Sequence, residues 1–345
     1  MTPKELVLRA VRFQEVPRLP AAVLDGHLWM MRRHGLSQRS LLDMPDEDYA
    51  ELLVNTCEET GSDIVFAGSA CNAAIQEVMG GVCDYSAVAA PIRTVKRAVR
   101  SLEDLRRFDA EAVWAAAARH PIVAGHRRRM ELLRKKVGDR KLIMAFSLAP
   151  LTMAMTLVGM EDLLAGLSEE PELAAEAVEF GMALTRHMLD DQVAHGATGI
   201  SMADPVSSVN VVSQETFLTL SLPRIRRMAD AMRRHGLPIM LHICGDSTAR
   251  LEPLRDAGVD IFSFDGGDLR AALETARGSY ALIGNLDPVG LILNGTPETV
   301  AGRAAELAAI AGHGGGFILA PGCDLPPAAP LENVLAMTGA VRRRA

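Results

Sequence analysis

Short runs rich in Ile, Val, Leu, Met and Phe alternate with helix-patterned stretches along this chain, and that alternation limits the fold more than any single motif. The β-like runs are 63–67, 141–147, 199–203, 237–244, 259–264, 280–284 and 316–321. Helical patterns occupy 46–60, 120–137, 171–196, 214–235, 248–257, 269–276 and 297–312, and 331–343 closes the chain. Strands separated by helices line up in parallel, with the helices as crossovers. Seven such strands, with an eighth expected near 19–24, predict an α/β fold of the closed (β/α)8 TIM-barrel type rather than a doubly wound sheet. No Gly-x-Gly-x-x-Gly follows the first strand, which weakens a dinucleotide-binding alternative. Residues 68–140 hold few strand signals and are expected to form a helical insertion within a single domain spanning 1–345, with helices added before the barrel.

The chain has 345 residues and is 49% hydrophobic, enough to build one large core. Its formal net charge of −7 argues against a general nucleic-acid or anionic-membrane surface. Thr2 reads as an N-cap, Pro3 as the first helical residue and Glu5 as the closing member of a capping box, so a helix rather than a secretory leader is expected at the start. The most apolar stretch, 149–160, is too short to span a bilayer. Five cysteines is an odd number for a disulfide framework. The expectation is therefore a cytoplasmic protein with reduced thiols, binding neither nucleic acid nor membrane.

The informative segment is Pro238-Ile239-Met240-Leu241-His242-Ile243-Cys244-Gly245-Asp246. Residues two apart on a strand point to the same side. Ile239, Leu241 and Ile243 then face the helix layer, and His242 and Cys244 face the barrel axis. Gly245 ends the strand at its C-terminal edge, where barrel active sites lie. Cys323 stands at the same edge of the last strand, in Phe317-Ile318-Leu319-Ala320-Pro321-Gly322-Cys323. One imidazole and two thiolates with an open fourth position make a catalytic rather than a structural zinc set. The competing reading is a hydrogen-bonded core histidine beside two small hydrophobic thiols.

Four segments carry a family resemblance: Leu241-His242-Ile243-Cys244-Gly245, Ile283-Gly284-Asn285-Leu286-Asp287-Pro288, Asn294-Gly295-Thr296-Pro297-Glu298 and Pro321-Gly322-Cys323. In this order they resemble the uroporphyrinogen decarboxylase superfamily, and within it the zinc methyltransferase branch of methylcobalamin:coenzyme M methyltransferases. Leu331-Glu332-Asn333-Val334 and the stretch from Thr2 to Pro20 continue the likeness. The resemblance implies zinc on His242, Cys244 and Cys323, and a corrinoid (methylcobalamin) as methyl carrier. It also implies two partners, a corrinoid protein and a small-molecule methyl donor or acceptor. A true uroporphyrinogen decarboxylase carries an Arg-Gln-Ala-Gly-Arg type motif that binds porphyrinogen carboxylates. Here Arg32 and Gly35 match it, but Leu36 stands where the second arginine should be. A tetrapyrrole-acid lyase and a non-catalytic corrinoid- or metal-binding protein are the alternatives.

A substrate thiol at the open position of zinc on this set would lose its proton and keep a nucleophilic sulfur. Zinc would equally serve as a Lewis acid toward an ether or thioether, so the direction of transfer stays open. Three further polar residues follow predicted strands and are candidate catalytic residues: Asp204, Asp265 and Asn285. Asp265 could be a fourth ligand, displaced by substrate; Asp204 could orient His242 or bind substrate. Helix capping is the plain alternative for all three.

Other features carry no functional reading. The glycine run 312–316 precedes a strand and is expected to be a turn on the stability face. Cys57, Cys71 and Cys83 lack ligand spacing and are expected to be buried or half-buried thiols. Glu77 reads as a surface-helix residue. Arg127, Arg128, Arg129, Arg134, Lys135 and Lys136 form a basic helix face, ordinarily solvated. Arg342, Arg343 and Arg344 suit the C-terminal end of a helix dipole. Met30, Met31, Met153 and Met155 read as core packing rather than as the lining of a cavity for a flat macrocycle.

Overall fold

The computed structural model describes residues 1–342; the helix end expected at Arg343, and Arg344 with it, lie outside the described residues. Its first helix, Pro3–Val11, has the complete capping box between Thr2 and Glu5. Among the described residues nine strands follow in chain order: β1 (Ile64–Phe66), β2 (Val82–Asp84), β3 (Arg93–Lys96), β4 (Leu142–Leu148), β5 (Gly199–Ala203), β6 (Ile239–His242), β7 (Ile261–Phe264), β8 (Ala281–Leu286) and β9 (Phe317–Pro321). Seven of them make one curled parallel sheet in the order β1-β4-β5-β6-β7-β8-β9, and β2 and β3 pair apart as an antiparallel hairpin. All seven sheet strands fall on the predicted runs.

The expected eighth strand does not form as a regular ladder, yet its segment spans the gap between the sheet's two edges. Leu319 N–H donates to the Pro20 carbonyl, Ala22 N–H donates to Leu319, and Asp63 N–H donates to Ala21. The irregularity has a chemical cause. Pro20 has no N–H to donate, and the Ala21 and Val23 amides donate to side chains, Asp63 Oδ2 at 2.9 Å and Ser62 Oγ at 3.1 Å, instead of to a strand backbone. Arg18 then holds the buried Asp63 with two bonds of 2.7 and 2.8 Å.

Strand alternation sorts the core into an inside and an outside. Ile64, Leu142, Met144, Met240, Ile261, Ile283 and Ile318 fill the interior with Ala22 and Leu24. Val65, Ile143, Ile200, Leu241, Phe262, Leu282 and Leu319 pack outward against the helices. Each such fully buried side chain contributes about 1.5–3 kcal/mol. His242 shares the parity of Met240, and Asn285 that of Ile283, so both point inward.

Residues 68–140 are mostly helical, with Cys71–Val78, Leu102–Leu105, Ala110–Ala117 and Pro121–Val137, but they also hold the β2–β3 hairpin, which the sequence reading missed. The helix expected over 214–235 contains a wide turn at Phe217–Ser221 before Leu222–Arg233. The apolar stretch near 150 forms a buried helix, Pro150–Val158. Among the described residues, no single helix is long and apolar enough to cross a membrane.

The basic face of the Pro121–Val137 helix is engaged rather than free. Arg128 and Arg129 bond Asp46, Arg127 bonds Asp191, and Lys136 lies 3.2 Å from Glu51. Arg342 donates to the Gly61 carbonyl rather than to its own helix end. The glycine run ends against the first helix, with Gly316 N–H donating to Ala10. Cys57 and Cys71 are buried and Cys83 is half-buried. Glu77 accepts from the Tyr85 hydroxyl at 2.9 Å.

Candidate metal centre

The C-terminal ends of β6 and β9 deliver three donors to one point. His242 Nε2 lies 3.2 Å from Cys244 Sγ and 3.5 Å from Cys323 Sγ, and the two sulfurs are 3.9 Å apart. Among the described residues this is the one group of three or more His, Cys, Asp or Glu side chains whose ligand atoms converge this closely. Tetrahedral zinc with ordinary bond lengths would place its ligand atoms about 3.6 Å apart for N to S and about 3.8 Å for S to S. The triangle therefore has the dimensions a zinc ion requires, before any ion is added.

Two glycines make the convergence possible. Gly245 takes a φ of 75°, turning the chain after Cys244 in a conformation that side chains resist. Gly322 passes so close to β7 that a Cβ there would sit 2.4 Å from Asp265 Oδ1. That close passage brings Cys323 against the other two ligands.

The electrostatics suit a cation. Burial lowers the pKa of His242, but its hydrogen bond with Cys323 and the charges of Cys323, Asp324 and Asp265 outweigh this and raise it. The bond between the two thiols lowers the pKa of Cys244 and, with burial, raises that of Cys323. A cation beside the two sulfurs would favour the thiolate form of both, as metal binding requires. Burial, then the charges of Asp25 and Cys323, push Asp324 up to about 8. Burial works the same way on Asp25, but hydrogen bonds from His27 outweigh it and hold that carboxyl low.

The other candidates separate. Ser263, not Asp204, faces the second ring nitrogen of His242, with Nδ1 and Oγ 2.8 Å apart. The parity of β5 explains this: Ala203 is in register with His242, so Asp204 points to the outer side. There it is fully buried and accepts from the hydroxyls of Thr152 (2.7 Å), Ser207 (2.5 Å) and Ser221 (2.9 Å). It neither orients His242 nor faces the barrel axis. Asp265 accepts from Gly245 N–H at 2.7 Å and so pins the turn after Cys244. Asn285 donates to the Gly267 carbonyl at 3.3 Å, and its Oδ1 is buried without a partner. None of the three caps a helix with its side chain.

Sequence reasoning missed Ser263, Asp25, His27 and Asp324. Ser263 was within reach, because it lies two residues before Asp265 and shares its face. Asp25 and His27 come from the irregular segment and carry no strand signal. Asp25 and Asp324 also line a cavity of about 330 Å³ walled in part by the 68–140 segment; the three donors are not on its lining, but Asp324 follows Cys323 directly and both acids lie within electrostatic reach of His242. Arg32 is exposed and does not line this cavity.

The uroporphyrinogen decarboxylase (URO-D) family model matches residues 2–344. Among curated relatives, a methylcobamide:CoM methyltransferase MtbA of Methanosarcina mazei is 27% identical, over 97% of this chain and 96% of its own length. A methylated-thiol–coenzyme M methyltransferase from the same organism is 31% identical, over 65% of this chain but only 58% of its own length. A solved methyltransferase from Methanosarcina mazei superposes with a TM-score of 0.86, covering 99% of this chain and 98% of that one at 23% identity, which supports the fold. By this match from end to end, the chain belongs to the uroporphyrinogen decarboxylase family, and within it lies beside the methylcobamide:CoM methyltransferases.

Proposed function

We propose that this protein is a zinc-dependent methyltransferase that moves a methyl group between a corrinoid, presented by a corrinoid protein, and a small thiol or its methylated form. The observation that carries the reading is the triangle of one imidazole and two thiols, none of its sides longer than 3.9 Å, at the C-terminal rim of a barrel. The full-length similarity to methylcobamide:CoM methyltransferases supports it. Soft thiolates beside an imidazole favour zinc over a hard cation.

When bound, zinc would supply Lewis acidity, lowering the pKa of a thiol at its open position. The chain's own residues do the rest. His242 Nε2, Cys244 Sγ and Cys323 Sγ would hold the ion, and two thiolates would cancel its charge. That leaves an incoming sulfur electron-rich. With metal bound, Ser263 Oγ, 2.8 Å from Nδ1, would accept the ring proton of His242 there and leave Nε2 free to donate its lone pair. Asp265 fixes the turn that carries Cys244. The cavity lined by Asp25 and Asp324 would hold the rest of the substrate and set the line of approach, from which much of the rate of an in-line transfer comes.

The test is demethylation of free methylcobalamin by the purified protein with a panel of small thiols. Thiol-dependent loss of the methyl-cobalt spectrum, abolished by Cys244→Ala and by Cys323→Ala, is expected. Equal rates from wild type and both variants would remove the reading.

A further inference from the structure

The cavity beside the metal centre has a chemistry of its own, and it is poor in free cations. Among the described residues that line it, Arg129 carries the permanent positive charge, and that charge is spent. Its guanidinium bonds Asp46 at 2.8 Å and the Met44 carbonyl at 2.8 Å, and lies over Tyr49. His27 commits one ring nitrogen to Asp25 at 2.7 Å and the other to the Tyr49 hydroxyl at 3.3 Å. His126 is buried and held neutral, with its pKa lowered to about 4 by burial. The acidic side chains of the lining are Asp25, already bonded to His27, and Asp324.

The neutral groups point the same way. Gln38 donates to the Ala90 carbonyl and the Met31 sulfur, and Gln76 commits one of its two amide N–H donors to the Thr156 carbonyl. Two buried polar atoms on the lining have no partner, Asn72 Oδ1 and His126 Nε2. Asn72 Oδ1 is an acceptor, and so is Nε2 of a neutral His126 whose ring proton lies on Nδ1. Buried acceptors of this kind stay costly until a donor reaches them.

From this lining we infer that the pocket selects a small thiol whose tail is uncharged or cationic and carries N–H or O–H donors, and rejects thiols with an anionic tail. The inference rests on the methyl-transfer reading above. An anionic tail would lose its water beside Asp25 with no cation to replace it, whereas a hydroxyl or ammonium meets the orphan acceptors.

The test uses the full chain with cobalt(II) in the metal site, whose thiolate charge-transfer band reports binding without any methyl transfer. The probes are 2-mercaptoethanol and 2-mercaptoethanesulfonate, which differ in tail charge. The neutral thiol is expected to bind roughly tenfold or more tightly, a gap that narrows with salt. Asp25→Asn should shrink the gap to about threefold or less; if that variant does not fold, the wild-type pair alone decides. Equal or tighter binding of the sulfonate overturns the inference, as does a folded Asp25→Asn that leaves the gap unchanged. The expected preference without methyl transfer from methylcobalamin would support the pocket assignment while removing the methyl-transfer reading. A band unmoved by either thiol would overturn both.

Discussion

Replacing Ser263 by alanine should weaken metal binding without unfolding the protein. Ser263 Oγ is fully buried and 2.8 Å from His242 Nδ1, and it is the group facing the side of the imidazole opposite the two sulfurs. For Nε2 to bind a cation it must be unprotonated, which places the ring proton on Nδ1, and Oγ accepts it. Alanine leaves that N–H buried and unpaired, a cost of about 1–3 kcal/mol. The metal-free protein escapes most of this cost, because its ring can move the proton to Nε2, which faces two sulfur acceptors at 3.2 and 3.5 Å. The penalty thus falls on the loaded state, and affinity should drop roughly 10- to 100-fold. Competition against a chromophoric zinc chelator reads this directly. Ser263→Thr, which keeps the hydroxyl, should recover most of the loss. Unchanged affinity in a folded Ser263→Ala would refute the assignment of the serine as the positioning partner.

Two other perturbations address the scaffold. Asp204→Ala orphans three buried hydroxyls, offset by removal of a carboxyl whose pKa burial has raised; urea unfolding should show a loss of roughly 2–4 kcal/mol with a smaller change in zinc affinity than Ser263→Ala gives. His126 has its folded pKa lowered from 6.5 to about 4, so between those values the unfolded chain holds the extra proton and stability falls as pH falls. His126→Gln should remove up to about 3 kcal/mol of that pH dependence, seen as the difference between wild-type and variant unfolding curves; parallel curves across this window would contradict the account.

The parts of this molecule that could be read from sequence are those where period and chemistry coincide. The sheet strands each bury apolar residues on both faces, and runs such as Ile-Met-Leu-His or Phe-Ile-Leu-Ala carry that signal locally. His242, Cys244 and Cys323 were legible because strand parity and strand ends define a common rim. The direction of Asp204 was not legible, because its strand end looks identical in sequence whichever way the final residue points; only the register of Ala203 with His242 decides it. The closing segment at 19–24 was half visible. Its apolar character showed, but the replacement of ladder bonds by Asp63 and Ser62 side chains depends on residues about 40 positions away. The β2–β3 hairpin stayed hidden for a similar reason: its short strands are largely exposed and lack an apolar pattern. The acidic cavity wall joins Asp25 to Asp324 across almost the whole chain, and no local window contains both.

The account stands on three side chains holding one cation. X-ray absorption at the zinc edge, on protein purified without chelators, tests this most directly. One zinc per chain is expected, with two sulfur neighbours at about 2.3 Å, at least one nitrogen neighbour at about 2.0–2.1 Å, and one sulfur fewer in Cys323→Ala. Protein that takes up no zinc, or a sulfur count that Cys323→Ala leaves unchanged, would contradict it.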